Sequence, residues 1–209
     1  MYLYTTVKTE SEYSFTEKRS EFIGYCAPVG GEQAAVAFVE SIRKKHSDAR
    51  HNVYAYALRE GNISRYSDDG EPHGTAGIPV LDVIRKAGVT DCCIVVTRYF
   101  GGVLLGTGGL LRAYTAAAAG ALENAGVARV GRYDVFSCVM NYPDYQKLMP
   151  LITFFGAEIA ESDFADSVRL SVPVLASEGE RFCLAVTDCT NGRVKPTKTG
   201  EKCDFIKNL

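Results

Sequence analysis

The chain has 209 residues, of which 46% are hydrophobic and 23% charged, so it is long enough for two small domains that each bury a core. Its net charge of -2 excludes a general electrostatic attraction to nucleic acids or anionic membranes, so a polyanionic partner would need a local basic patch. No apolar run approaches the length of a membrane-spanning helix, and the N-terminus lacks the pattern of a signal peptide.

The first half of the chain alternates between strand and helix patterns. Residues 20–29 predict a strand, residues 32–46 a helix, and residues 53–58 with 63–66 a hairpin around Gly61-Asn62. A helix over 75–87, a buried strand over 92–97 and a long helix over 107–124 follow. Adjacent Cys92 and Cys93 would face opposite sides of the strand.

The second half has a different order of elements. Strands are predicted at 133–140, 157–164, 168–175 and 192–197, and helices at 144–154 and 178–187. This β-α-β-β-α-β order is ferredoxin-like. We therefore expect an α+β protein with domains at 1–130 and 133–209, a joint near 126–132 and a loosely held tail after Thr199.

The seven cysteines indicate a cytoplasmic protein. They are scattered, mostly within apolar runs, and no Cys-x-x-Cys pair or zinc-finger spacing to a histidine occurs. Core packing is the better interpretation for most of them, because a free cysteine behaves as a small buried hydrophobe. We expect no disulfide, no metal and no cofactor.

Two segments rich in glycine and charge, residues 65–77 and 98–112, each follow a predicted strand and lead into a predicted helix. Loops of this composition on a rigid scaffold often carry a protein's site. Because crossovers on one sheet often place their loops at the same edge, we expect the two segments to lie side by side and form one polar concavity.

The second segment predicts an anion site. Gly101 and Gly106 have the glycine spacing of a phosphate-binding loop, but Thr107 stands where that motif needs lysine, which argues against an ATPase. Glycines at a helix start still expose N–H groups that attract anions. The candidate residues for binding an anion or nucleic acid are Arg65, Arg98, Gly101, Gly102, Gly106, Thr107, Gly108, Gly109 and Arg112. In the alternative interpretation, the glycines allow close packing and the arginines pair with Asp68, Asp69 or Glu71.

The first segment offers a catalytic alternative. Asp69, Glu71 and His73 are spaced two apart, so an extended backbone would project all three to one side. Two carboxylates and an imidazole suit general acid–base work or a metal-assisted reaction. The competing interpretation is a tight turn at Ser67-Asp68-Asp69-Gly70, in which aspartate serves local hydrogen bonds.

Residues 52–56, 66–77 and 97–112 closely resemble the signature of the IMPACT/YigZ family, and the resemblance extends over about residues 20–126. It implies an N-terminal α/β domain like those of ribosomal proteins and domain IV of elongation factor G. The second unit resembles the small domain that bacterial members append, which is similar to the C-terminal domain of elongation factor G.

The resemblance also implies a role around translation. Eukaryotic IMPACT proteins restrain the kinase that stops initiation during amino-acid starvation, by competing for its activator. We expect no additional N-terminal domain before the shared one, which puts the eukaryotic partner interaction in doubt for this chain. We therefore expect a non-enzymatic translation regulator that binds RNA or a ribosome-associated target and no membrane. The alternatives are a small metal-assisted hydrolase or phosphoryl-processing enzyme using Asp69, Glu71 and His73, and a protein–protein regulator whose polar loops only hold its shape.

Overall fold

The computed structural model describes residues 2–206, and within them it has five α-helices and two five-stranded sheets. The chain divides into two compact units, of which the first comprises Tyr4–Ala128 and the second most of the remaining described residues. The protein therefore mixes α and β structure in both halves, as the sequence predicts. In the described part of the chain, no helix combines the length and apolar character needed to cross a lipid bilayer.

From Tyr2 to Ala125 the chain forms, in order, β1 (Tyr2–Val7), β2 (Ser11–Glu17), β3 (Ser20–Pro28), α1 (Glu32–Lys45), β4 (His51–Leu58), β5 (Ile63–Ser67), α2 (Gly77–Lys86), β6 (Cys92–Tyr99) and α3 (Thr107–Ala125). The sheet of the first unit has the strand order β2-β3-β6-β4-β5 with antiparallel neighbours throughout. The hairpin, the buried strand and the long helix expected from the sequence are all present. Strands β1 and β2 are additional to the prediction.

The central strand β6 is buried on both faces, which explains its continuous apolar sequence. Ile94 and Val96 belong to the core beneath α2 and α3, whereas Cys93 and Val95 belong to the core beneath α1. Cys92 lies in the first of these cores, so the two adjacent cysteines face opposite sides as predicted.

Helix α3 lies unusually close to strand β3. A Cβ atom at Gly24 would collide with the backbone carbonyl of Ala117, and the methyl group of Ala121 is the next neighbour. Glycine on the strand and alanines on the helix therefore allow close approach of the two backbones. This packing fixes α3 on the sheet and so positions its N-terminus, where the second glycine-rich segment ends.

The second unit is built from β7 (Val127–Met140), α4 (Tyr142–Phe154), β8 (Glu161–Phe164), β9 (Val168–Leu175), α5 (Gly179–Cys189) and β10 (Thr197–Phe205). These elements follow the β-α-β-β-α-β order that the sequence predicts. In their sheet, β9 lies between β8 and β7, and β10 pairs antiparallel with β7. The core of this unit gathers apolar side chains from β7, β9 and both helices.

The expectation for the C-terminal end of the second unit is wrong. The last strand is Thr197–Phe205 rather than 192–197, so the segment after Thr199 is paired with β7 and not a loose tail. Its residues are mostly exposed and polar, and backbone pairing together with the ion pair between Lys198 and Asp134 holds it in place. Strand β7 begins at Val127, and the division between the two units falls after Ala128.

Candidate functional site

The two glycine-rich segments line one concavity of about 410 Å³ in the first unit, which we call the loop concavity. Its lining residues are Arg50, His51, Gly70, Glu71, Pro72, Arg98, Phe100, Leu104, Leu105, Gly106, Thr107 and Leu110. The expectation that the segments meet in one concavity is therefore confirmed. The expectation that it is polar needs correction, because Pro72, Phe100 and the three leucines give it a largely apolar wall.

Strand register brings residues that are distant in sequence to this concavity. His51, the first residue of β4, lies opposite Arg98 near the end of β6. Helix α3 contributes Thr107 from its first turn, because the loop after β6 leads directly into it. The site therefore lies where β4 begins, β6 ends and α3 starts.

Arg98 and Glu71 form a buried ion pair at the floor of the concavity. The Arg98 Nη1 donates to Glu71 Oε1 at 2.6 Å, and the two side chains are only 6% and 4% exposed. The Tyr114 hydroxyl donates to the same carboxylate oxygen at 2.7 Å. Burial, together with the negative charge of Glu71, raises the pKa of Tyr114, so this hydroxyl stays protonated.

The rest of the Arg98 guanidinium is enclosed. Its Nη2 donates to Ser20 Oγ at 3.4 Å, and its Cζ lies 5.4 Å from the ring centres of both Phe22 and Phe100. Among residues 2–206, its Nε has no hydrogen-bond acceptor. Arg98 thus pairs with Glu71, as the structural interpretation of the arginines predicts, and keeps one unsatisfied donor.

Residues 67–71 form a tight turn, so the extended arrangement of Asp69, Glu71 and His73 is wrong. The Glu71 N–H donates to the Asp68 carbonyl at 2.9 Å, and φ is 44° at Asp69 and 85° at Gly70. A positive φ at aspartate followed by glycine reverses the chain, which turns alternate side chains in different directions.

The three side chains consequently reach three different partners. Asp69 accepts from the Asn52 N–H at 2.6 Å and from Arg43 at 2.9 Å, while Glu71 holds Arg98. His73 is 92% exposed and lies 3.7 Å from Asp68. The structure therefore does not assemble a carboxylate pair with an imidazole.

Asp68 anchors the start of helix α2. Its Oδ1 accepts from the N–H groups of Ala76 at 3.1 Å and Gly77 at 2.8 Å, and its Oδ2 accepts from the Gly74 N–H at 2.9 Å. A carboxylate at this position satisfies free donors of the first turn and complements the helix dipole. The acidic residues of the first segment are thus occupied in holding its shape.

The start of helix α3, by contrast, has no cap. Gly106 precedes it with φ 74°, a conformation that glycine adopts without strain, and no side chain of the described residues caps the helix. The first intrahelical bond runs from the Leu110 N–H to the Gly106 carbonyl at 2.9 Å. Thr107 and Gly108 are exposed and Gly109 is half-buried, and no described side chain caps the N–H groups of this first turn, which can therefore bind an anion.

The remaining candidates lie around this site or away from it. Gly109 and Arg112 line a smaller hollow of about 280 Å³ with Lys18, and Leu105 is common to both hollows. The Gly101 N–H donates to Ser20 Oγ at 3.2 Å. Gly102, with φ 85°, lies in the turn between β6 and α3. Arg65 lies on β5 opposite Tyr56 and lines neither hollow.

Several lining residues were not among the sequence candidates, notably Arg50, His51, Phe100 and Leu104. Phe100 carries a signal in the Arg98-Tyr99-Phe100 run, which places a cation beside aromatic rings. Arg50 and His51 carry none, because only the pairing of β4 with β6 brings them to the site. Within residues 2–206, no three histidine, cysteine, aspartate or glutamate side chains gather in a group that could hold a metal.

Both units are similar to domains of known proteins. Residues 18–122 match the family model of the Impact N-terminal domain, and residues 138–193 match a domain of unknown function, DUF1949. The chain is 35% identical to the IMPACT family member YvyE of Bacillus subtilis, over 96% of this chain and 93% of that protein. It is 36% identical to the IMPACT family member YigZ of Escherichia coli, over 85% and 89% respectively.

A solved structure agrees with these matches. The crystal structure of a protein described only as hypothetical has 32% sequence identity and a TM-score of 0.61. The alignment covers 96% of this chain and 98% of that one. The similarity therefore extends over both units.

Proposed function

This chain belongs to the IMPACT family, and from that membership and the loop concavity we propose that it is a cytoplasmic, non-enzymatic translation regulator. It binds RNA or a ribosome-associated target through the concavity. We also assign the first unit to the α/β fold of ribosomal proteins and elongation factor G domain IV, and the second to the ferredoxin-like fold. The pairing of β10 with β7, of β7 with β9 and of β9 with β8 supports the latter assignment.

One observation carries the proposal: the open polar groups of the concavity favour an anion, whereas the carboxylate in its lining is already paired. Glu71, the one lining carboxylate, is paired with Arg98, so it presents little net negative charge to a ligand. The uncapped start of α3 presents its N–H groups, and exposed Arg50 supplies a positive charge at the lining. A phosphate backbone is the polyanion that such groups bind.

A metal-assisted hydrolase has less support. That function needs Asp69, Glu71 and His73 to face one substrate, and their partners hold them apart. A protein–protein contact has one observation in its favour, because Leu104 at the edge of the concavity is 82% exposed. Phe100 and Val103 of the same loop are exposed as well, and clustered exposed apolar side chains are typical of interaction surfaces.

Co-sedimentation of the full chain with ribosomes at low and physiological salt tests the proposal. We expect the wild type to sediment with ribosomes and to dissociate as salt rises, because phosphate contacts release counterions. Arg50→Ala should weaken the association severalfold. Arg85→Ala removes the same charge from the exposed face of α2 and should behave like the wild type.

No co-sedimentation at low salt, or equal binding by the Arg50 variant and the wild type, would contradict a ribosomal or RNA target at this concavity. Binding that is insensitive to salt and lost on Leu104→Ser would indicate the protein–protein alternative instead.

A further inference from the structure

We propose that the loop concavity binds one nucleoside phosphate unit, with the phosphate at the start of α3 and the base against the apolar wall. This inference rests on the proposed function, since it specifies what part of an RNA the site would hold. The unit is either one residue of a single-stranded RNA or a free nucleotide. The chemistry is the same in both cases, and the experiment below separates them.

The composition of the lining is the first reason. At about 410 Å³ the concavity has the size of a small-molecule site, and such sites combine apolar walls with a few placed polar groups. Phe100, Leu104, Leu105 and Leu110 give the apolar wall, and Thr107 brings the start of α3 to the same space. Inorganic phosphate would leave the wall unused, whereas a purely apolar ligand would leave the N–H groups unsatisfied. A nucleoside phosphate satisfies both.

The unsatisfied donor of Arg98 is a second, independent reason. The Arg98 side chain is buried and lines the concavity, yet its Nε has no acceptor among the described residues. Buried donors are almost always paired in native proteins, because an unpaired one loses its hydration without compensation. The Nε atom is itself enclosed by protein, so an acceptor oxygen or ring nitrogen of a ligand in the concavity would pair with it only after the Arg98 side chain shifts.

The aromatic ring at the wall is suited to a base. Phe100 is 41% exposed, and the Arg98 guanidinium lies 5.4 Å from its ring centre. Bases stack on exposed aromatic rings whatever their sequence, and the neighbouring cation strengthens the stacking. Because the chain carries no net positive charge, such a stacking contact would contribute affinity that bulk electrostatics do not.

Glu71 is the one lining carboxylate, and a bare carboxylate would repel a phosphate. Here Arg98 and the Tyr114 hydroxyl both donate to its Oε1, and His51 Nε2 lies 3.8 Å from the same atom. The ion pair offsets the charge of Glu71. The carboxylate therefore shapes the floor of the site without excluding an anion.

Gly108 offers a substitution that tests the phosphate end without damaging the fold. A Cβ atom at Gly108 would have only Arg112 Nη1 within 4 Å, at 3.7 Å. An aspartate in the first turn favours the helix but repels a bound phosphate. Gly31→Asp is the matched control, because it adds the same charge at the start of α1, where a Cβ atom would meet nothing within 4 Å.

The experiment titrates the full-length, isotope-labelled protein with adenosine monophosphate, adenosine, inorganic phosphate and a single-stranded RNA oligonucleotide, followed by NMR. We expect the monophosphate to shift the amide signals of residues 107–109 and to bind at least about tenfold more tightly than adenosine or phosphate. Gly108→Asp should weaken it about tenfold while remaining folded in a thermal melt, and Gly31→Asp should bind like the wild type.

Competition identifies the source of the nucleotide. If the oligonucleotide shifts the same amides and the monophosphate displaces it, the site holds a residue of RNA; if only the monophosphate binds, the site holds a free nucleotide. Unmoved amides, or equal binding by Gly108→Asp and the wild type, would overturn the inference. If ribosomes still co-sediment with the protein in that case, the proposed function survives and only the nucleotide site is lost.

Discussion

The ion pair between Arg98 and Glu71 ties the two loops of the concavity together. Glu71 belongs to the first segment and Arg98 begins the second, while Tyr114 connects helix α3 to the same carboxylate. From the sequence alone, Arg98 is equally well explained as a ligand-binding residue or as a structural partner. Because Arg98 is buried together with Glu71, it also contributes to the stability of the fold.

We expect Arg98→Ala to lower the free energy of unfolding by about 3–5 kcal/mol, because it leaves the Glu71 carboxylate buried without its partner. Urea denaturation of the full chain measures this loss. The double variant Arg98→Ala, Glu71→Ala should lose less than the sum of the two single variants. A loss below about 1 kcal/mol for Arg98→Ala, within the range of an exposed ion pair, would contradict the structural role.

A second residue makes stability depend on pH. His46 is nearly buried between the hydroxyls of Tyr25 at 2.7 Å and Tyr99 at 2.9 Å. Burial, with a smaller contribution from the charge of Lys45, lowers the pKa of His46 below its ordinary value of 6.5, although Glu12 and Asp48 act in the opposite direction. Since the unfolded chain then binds the proton more readily, the stability that neutral His46 provides is full above pH 6.5 and falls as the pH decreases below it.

We therefore expect the wild type to lose more stability between pH 7 and pH 5.5 than His46→Gln does, in paired thermal melts. The carboxylates shared by both proteins cancel in this comparison. Equal losses in the two proteins would show that His46 takes up its proton as easily in the folded chain as in the unfolded one.

At the scale of elements, the contact between β3 and α3 determines where the start of α3 lies, the helix start that we propose binds an anion. Gly24 on the strand faces the Ala117 carbonyl on the helix, and Gly108 at the helix start faces open space apart from Arg112. The two glycines have different roles. One is required by packing, whereas the other keeps the helix start accessible.

Substitution by alanine should separate these roles. Gly24→Ala should destabilise the protein by about 1–3 kcal/mol, because the methyl group would force the helix away from the sheet. Gly108→Ala should stabilise it by about 0.5–1 kcal/mol, the difference between glycine and alanine within a helix. Chemical denaturation of the two variants checks the prediction, which fails if Gly24→Ala is as stable as the wild type.

The sequence predicts elements well where burial imposes a pattern. β6 and α3 are buried along most of their length or along one face, and both were placed within about two residues, the usual error at element ends. Strand β10 lacks such a pattern because its residues are mostly exposed, and backbone pairing with β7 holds it. Side-chain periodicity carries no information about an element of this kind.

The sequence also predicts part of the candidate site, namely the part that depends on local composition. Local composition identifies the two loops and the uncapped helix start, since glycine next to a predicted helix is visible in the sequence. It does not show that Asp69 turns toward Asn52, or that His51 lies opposite Arg98, because turn geometry and strand register depend on the fold.

For the molecule as a whole, we propose that the first unit is the binding unit. Its concavity combines the loops, the helix start and Arg50, and all of these lie within Tyr4–Ala128. The second unit has a core of its own, and none of its described residues lines the concavity. A target bound as proposed should therefore contact a short and predictable part of the chain.

Photo-cross-linking of the full chain to ribosomes, followed by tryptic digestion and mass spectrometry, tests this claim most directly. Residues 99–112 lie between Arg98 and Arg112 and therefore form one tryptic peptide that carries both Phe100 and the start of α3. We predict cross-links to RNA in this peptide, and their loss when Gly108→Asp is used in place of the wild type. Cross-links confined to residues 129–206, or unchanged by the aspartate, would contradict the account.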